Sequence, residues 1–61
     1  MRKKEKWMKR GAEVLALGKL GKISSMQENT IDGIDYVYYI NVKLIGKLSS
    51  EPYHPNDIKQ V

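Results

Sequence analysis

The stretch Tyr36-Val37-Tyr38-Tyr39-Ile40-Asn41-Val42-Lys43-Leu44 decides the fold. Tyrosine, valine and isoleucine dominate it, and these are the residues that suit a pleated, half-buried surface. With a period of two, Tyr36, Tyr38, Ile40, Val42 and Leu44 fall on one face. Val37, Tyr39, Asn41 and Lys43 fall on the other. A helix would scatter both sets around its circumference, so the pattern predicts a strand. The first set is the expected core face and the second a mixed, partly wet one. Just upstream, Asn29-Thr30-Ile31-Asp32-Gly33 is a turn cluster whose Asp-Gly pair is a hairpin signal.

Working outward, Glu13-Val14-Leu15-Ala16-Leu17 is short, apolar after its acid, and bracketed by Gly11 and Gly18, which favours a strand. Gly18-Lys19-Leu20-Gly21 reads as a turn into a second strand, Gly21 to Met26. Ile23 and Met26 are three apart, out of phase for a flat strand, so either a bulge re-aims one or Met26 covers the barrel end. Ile45-Gly46 predicts a tight turn into a short fourth strand, Lys47-Leu48-Ser49-Ser50. Glu51-Pro52-Tyr53-His54-Pro55 is excluded as a central strand, because proline donates no ladder hydrogen bond. Pro55-Asn56-Asp57-Ile58 suits one 3₁₀ turn with Ile58 pointing inward, and Lys59-Gln60-Val61 a last short strand.

This order predicts an all-β fold: a small five-stranded SH3-like barrel over residues 11–61, with a 3₁₀ turn before the last strand, preceded by a basic tail over residues 1–10. Closing a sheet into a barrel hides edges that a flat sheet of this size would expose. The expected core is Val14, Ala16, Ile23, Tyr38, Ile40, Val42, Leu48 and Ile58, helped by Trp7, Tyr36, Leu44 and Val61. The chain resembles the Tudor and KOW-type members of the SH3-like barrels. The resemblance lies in Arg10-Gly11-Ala12-Glu13-Val14-Leu15-Ala16, Gly21-Lys22-Ile23, Tyr36-Val37-Tyr38 and His54-Pro55-Asn56-Asp57-Ile58, and spans residues 7–61. It bears on fold more than on function, since small barrels host many unrelated activities.

Charge narrows the functional classes. The 61 residues carry a net charge of +4, but residues 1–10 alone account for +5 and residues 11–61 for −1. The basic character therefore belongs to the first ten residues, where Arg2, Lys3, Lys4, Lys6, Lys9 and Arg10 could neutralise phosphates and Trp7 could stack on a base. With Lys19 and Lys22 these residues form the candidate nucleic-acid set; Lys43 and Lys47 extend it. The competing reading is a solvated terminus with Trp7 folded back as a lid on the barrel. A membrane-surface helix is disfavoured, because only Trp7 and Met8 would face lipid. The chain has no cysteine, which fits a reducing cytoplasm, and no apolar run approaches the ~20 residues of a membrane span.

Four tyrosines, Tyr36, Tyr38, Tyr39 and Tyr53, raise the idea of an aromatic cage for a methylated cation, as in Tudor domains. A cage needs rings converging from several loops, and strand tyrosines with hydroxyls at the rim are the simpler expectation. Tyr39, Tyr53, Ile31 and Ile34 form a candidate protein-interaction surface at a groove or strand edge. His54 is the sole histidine, and with Glu51 and Asp57 it makes a poor metal site. Paired with Ser24, Ser25, Ser49 or Ser50 it lacks the orienting acid and oxyanion hole of a hydrolase. Gly18-Lys19-Leu20-Gly21-Lys22 opens no helix and is a turn rather than a phosphate loop. The expectation is a non-catalytic binding module without metal or cofactor. Its partner would be nucleic acid or another protein and not a membrane, and a homodimer is one form it could take.

Overall fold

The computed structural model describes all 61 residues. The chain forms β1 (Arg2–Lys3), β2 (Glu13–Ala16), β3 (Lys19–Ile31), β4 (Ile34–Leu44) and β5 (Glu51–Tyr53). A 3₁₀ turn (Pro55–Asp57) and β6 (Ile58–Gln60) follow. All pairings are antiparallel, in the order β6–β2–β3–β4. The outer edge of β4 is shared: β5 covers Ile40–Val42 and β1 covers Tyr36–Val37. The sheet curls around one core into a barrel-like half cylinder, the all-β architecture read from the sequence.

The β2–β3 and β3–β4 hairpins both close with two-residue turns in which each central residue has positive φ: Leu17 at 50° with Gly18 at 80°, and Asp32 at 52° with Gly33 at 78°. Such turns match the right-handed twist of the flanking strands. The first turn was expected to include Gly21, but it closes at Gly18 and Gly21 lies inside β3. There it faces Leu44 in register, and a Cβ on it would stand 2.7 Å from the Lys43 carbonyl oxygen and 2.7 Å from Val42 Cγ1. Gly21 is thus required by the close approach of β4, not by the turn.

Two bulges set the faces. Opposite Asn41, β3 carries an extra residue at Ser24, which resolves the phase problem at Ile23 and Met26. Ile23 is in the core and Met26 packs against it. The second bulge lies on β4, where Gln27 pairs with Tyr39 and Glu28 with Val37, leaving Tyr38 extra. The inward set therefore runs Val37, Ile40, Val42 and Leu44 instead of Tyr36, Tyr38, Ile40, Val42 and Leu44. One inserted residue inverts the parity upstream of it, so Val37 enters the core and Tyr36 and Tyr38 leave it.

The buried cluster is Met8, Val14, Ala16, Ile23, Val37, Ile40, Val42, Leu44 and Ile58. Leu48 and Val61, expected inside, are 97% and 66% exposed. Residues Lys47–Ser50 form no strand; they loop back so that Ser24 Oγ donates to Ser50 Oγ at 2.7 Å, and Leu48 points to solvent. The fourth barrel strand is Glu51–Tyr53 instead, with Pro52 on an edge, where its missing N–H leaves no ladder bond unmade. The 3₁₀ turn stands where the sequence placed it: His54 caps it by accepting from the Asn56 N–H, and Ile58 points inward.

Residues 1–10, read as a tail, lie on the sheet. β1 pairs with β4, the Lys4 N–H donates to the Asp35 carbonyl at 2.9 Å, and Met8 is completely buried. Trp7 is half-buried against the same core, the lid position. The chain's most highly charged segment thus extends the sheet and covers part of its core.

Candidate nucleic-acid interface

The docking of this segment follows from where the acids lie. Glu28, Asp32 and Asp35 all sit on the distal half of the β3–β4 hairpin, while residues 14–27 and 36–50 carry no acid. The basic segment settles on the acidic half: Lys4 Nζ lies 2.8 Å from Glu28 Oε1. Arg2 pairs with the Glu5 carboxylate and donates to the Pro55 carbonyl at 3.2 Å, tying β1 to the 3₁₀ turn. These pairs are partly exposed, so they orient the segment more than they stabilise it; Met8 and Trp7 supply the burial.

The nine residues of the candidate nucleic-acid set therefore divide. Arg2 and Lys4 are engaged in ion pairs and Trp7 packs on the core. Lys3, Lys6, Lys9 and Arg10 make no ion pair. Between the N-terminal turn and the hairpin tip lies an open groove of about 600 Å³, lined by Lys3, Lys4, Lys6 and Lys9 against Glu5 and Asp35. Lys19 and Lys22 lie at the other end of the sheet, unpaired, with Lys22 facing both Glu13 and Lys43 in register.

The protein-interaction set also divides. Ile31 and Ile34 face each other across the tip at 40% and 38% exposure, and Tyr39 is outward on the same hairpin at 49%. Tyr53 belongs elsewhere: it pairs with Ile40 and packs on the core. Its partial burial, then the charge of Glu51 and the hydrogen bond to that carboxylate at 3.3 Å, raise its phenol pKa above 10.0.

Tyr36 and Tyr38, which period two places in the core, point outward instead. Tyr38 Oη accepts from Asn29 Nδ2 at 3.5 Å, and Lys3 stands opposite Tyr36 across the β1–β4 pair. A signal for this existed in the sequence. Val37 and Ile40 are apolar and three apart, the same out-of-phase spacing as Ile23 and Met26. No cage results: three tyrosines leave one strand on one face, and Tyr53 lies apart from them.

No cluster of three or more histidine, cysteine or carboxylate side chains is arranged to hold a metal ion. His54 Nδ1 accepts the Asn56 N–H at 3.2 Å and caps the 3₁₀ turn. Fold and surface together define a class: a small all-β, barrel-like domain whose charged N-terminal segment is built into its sheet. No protein-family model matches the chain, and comparison with curated proteins and with solved structures gives no match.

Proposed function

We propose that this chain is a non-catalytic binding module of the SH3-like barrel class, akin to Tudor and KOW-type domains, that binds nucleic acid through its N-terminal segment. One observation carries the reading. The segment is held in place on the sheet while Lys3, Lys6, Lys9 and Arg10 remain without acidic partners. Four cations fixed on a folded surface lose less freedom on binding than four on a loose tail, and each phosphate they neutralise releases counterions.

The test is a titration of labelled DNA and RNA at two salt concentrations. Wild type is compared with a Lys3→Ala, Lys6→Ala, Lys9→Ala, Arg10→Ala variant. Deleting residues 1–10 would remove Met8 from the core and confound folding with binding. Wild type should bind at low salt and weaken steeply as salt rises, with a log–log slope of ~0.7–0.9 per phosphate neutralised. The variant should bind more weakly with a shallower slope. Absence of binding at low salt, or a variant equal to wild type, refutes the reading.

A protein partner is the second reading, favoured by the exposed Ile31–Ile34 pair at the hairpin tip. It requires that Ile34→Asp abolish capture of a defined protein partner while leaving the melting temperature unchanged.

A further inference from the structure

The bulge on β4 has a chemical consequence. In a regular strand Tyr38 and Tyr39 would point to opposite faces. Here Val37 and Ile40 are both fully buried, so the two residues between them both project outward. Tyr36, on the other side of Val37, projects outward as well. Three phenol rings within four residues thus share the outer face of the hairpin, with Tyr39 about half exposed.

Cations flank this row at both ends. Lys3 stands beside Tyr36 on the neighbouring strand, about 4.8 Å away across the ladder. Lys22 and Lys43 face each other four residues beyond Tyr39, about 13 Å along the strand. Asn41 and Ser25 fill the interval, with Asn41 Nδ2 donating to Ser25 Oγ at 2.9 Å. Lys3, Lys22 and Lys43 are all free of ion pairs.

From this arrangement we infer that the outer face of the β3–β4 hairpin takes single-stranded nucleic acid, its bases stacked on Tyr36, Tyr38 and Tyr39 and its phosphates held by Lys3, Lys22 and Lys43. The inference rests on the nucleic-acid reading above and names the form of its ligand. Every base presents a π face, so stacking selects for unpaired bases and not for sequence. A duplex keeps its bases stacked on one another and offers this face only phosphates. Three rings between two sets of cations fit about four nucleotides, the low end for single-strand-binding barrels.

The experiment measures anisotropy of labelled dT6 and rU6 against a 12-base-pair duplex, with wild type, Tyr39→Ala, Tyr39→Phe and Lys43→Ala. Both hexamers should bind more tightly than the duplex. Tyr39→Ala should weaken hexamer binding about 5- to 150-fold, the range for loss of one base–aromatic stack, and leave duplex binding unchanged. Tyr39→Phe, which keeps the ring, should bind as wild type does. Lys43→Ala should weaken binding and flatten the salt dependence. Tyr39 is half exposed, and a melting curve for each variant confirms the fold. If the duplex binds as well as the hexamers, or if Tyr39→Ala binds them unchanged, the tyrosine face is overturned while nucleic-acid binding stands. If neither hexamer nor duplex binds at low salt, the nucleic-acid reading falls and this inference with it.

Discussion

Replacing Met8 by alanine tests whether the charged N-terminal segment is part of the fold. Met8 is fully buried among Val14, Ala16, Ile23, Val37 and the rest of the nine-residue cluster, and its sulfur accepts the Glu5 N–H at 3.4 Å. Truncating a buried methionine costs about 2–5 kcal/mol, transfer and cavity terms together. Small domains carry roughly 0.05–0.15 kcal/mol per residue, so a chain of 61 residues has about 3–9 kcal/mol in all. One side chain from the supposed tail is therefore expected to hold about a fifth of the total or more. In a domain of this size 1 kcal/mol moves the melting temperature by about 4–8 °C, so Met8→Ala should lower it by about 10 °C or more. Urea unfolding followed by circular dichroism gives the free energy without relying on the neighbouring Trp7. Met8→Leu, nearly volume-conserving, should cost less than about 1.5 kcal/mol. A loss below about 0.5 kcal/mol for Met8→Ala would refute the reasoning and return residues 1–10 to the status of a tail.

Gly21→Ala should destabilise by about 1–3 kcal/mol in the same assay, because its Cβ would meet backbone and side chain of β4 at 2.7 Å. Leu17→Asn should stabilise by about 1 kcal/mol, since Leu17 sits at φ 50° and asparagine tolerates that region far better. Tyr53, followed by site-specific NMR titration, should ionise above pH 10.0, and Glu51→Gln should lower its pKa only in part, because partial burial is the larger cause. A raised folded-state pKa makes this contribution to stability complete below the unfolded phenol's pKa and lost as pH rises through the folded value. Stability should therefore fall at alkaline pH, and less so in Tyr53→Phe.

The sequence by itself determined the fold class, the long β4 strand, the Asp32-Gly33 turn and the prolyl 3₁₀ turn. Each depends on local chemistry: β-branched and aromatic runs, positive φ at Asp-Gly, the fixed φ of Pro55. It also located the charge, in the first ten residues. The tertiary structure decided where that charge rests. Glu28, Asp32 and Asp35 already lie close together in the sequence, but only the pairing of β1 with β4 brings Lys4 onto Glu28 and sets the basic segment against them. Met8 looked like part of a polar tail because the cavity it fills is built by residues from 14 to 58. Lys47–Ser50 and Glu51–Tyr53 were distinguished only by which of them reaches the β4 edge. The tyrosines show the division most directly. Period two placed Tyr36 and Tyr38 inside, and a single unpaired residue in the β3–β4 ladder turned them out beside Tyr39. Parity along a strand is local, but the position of a bulge is set by how two strands fit over a shared core. The strand could be read from its own residues; the face its tyrosines occupy could not.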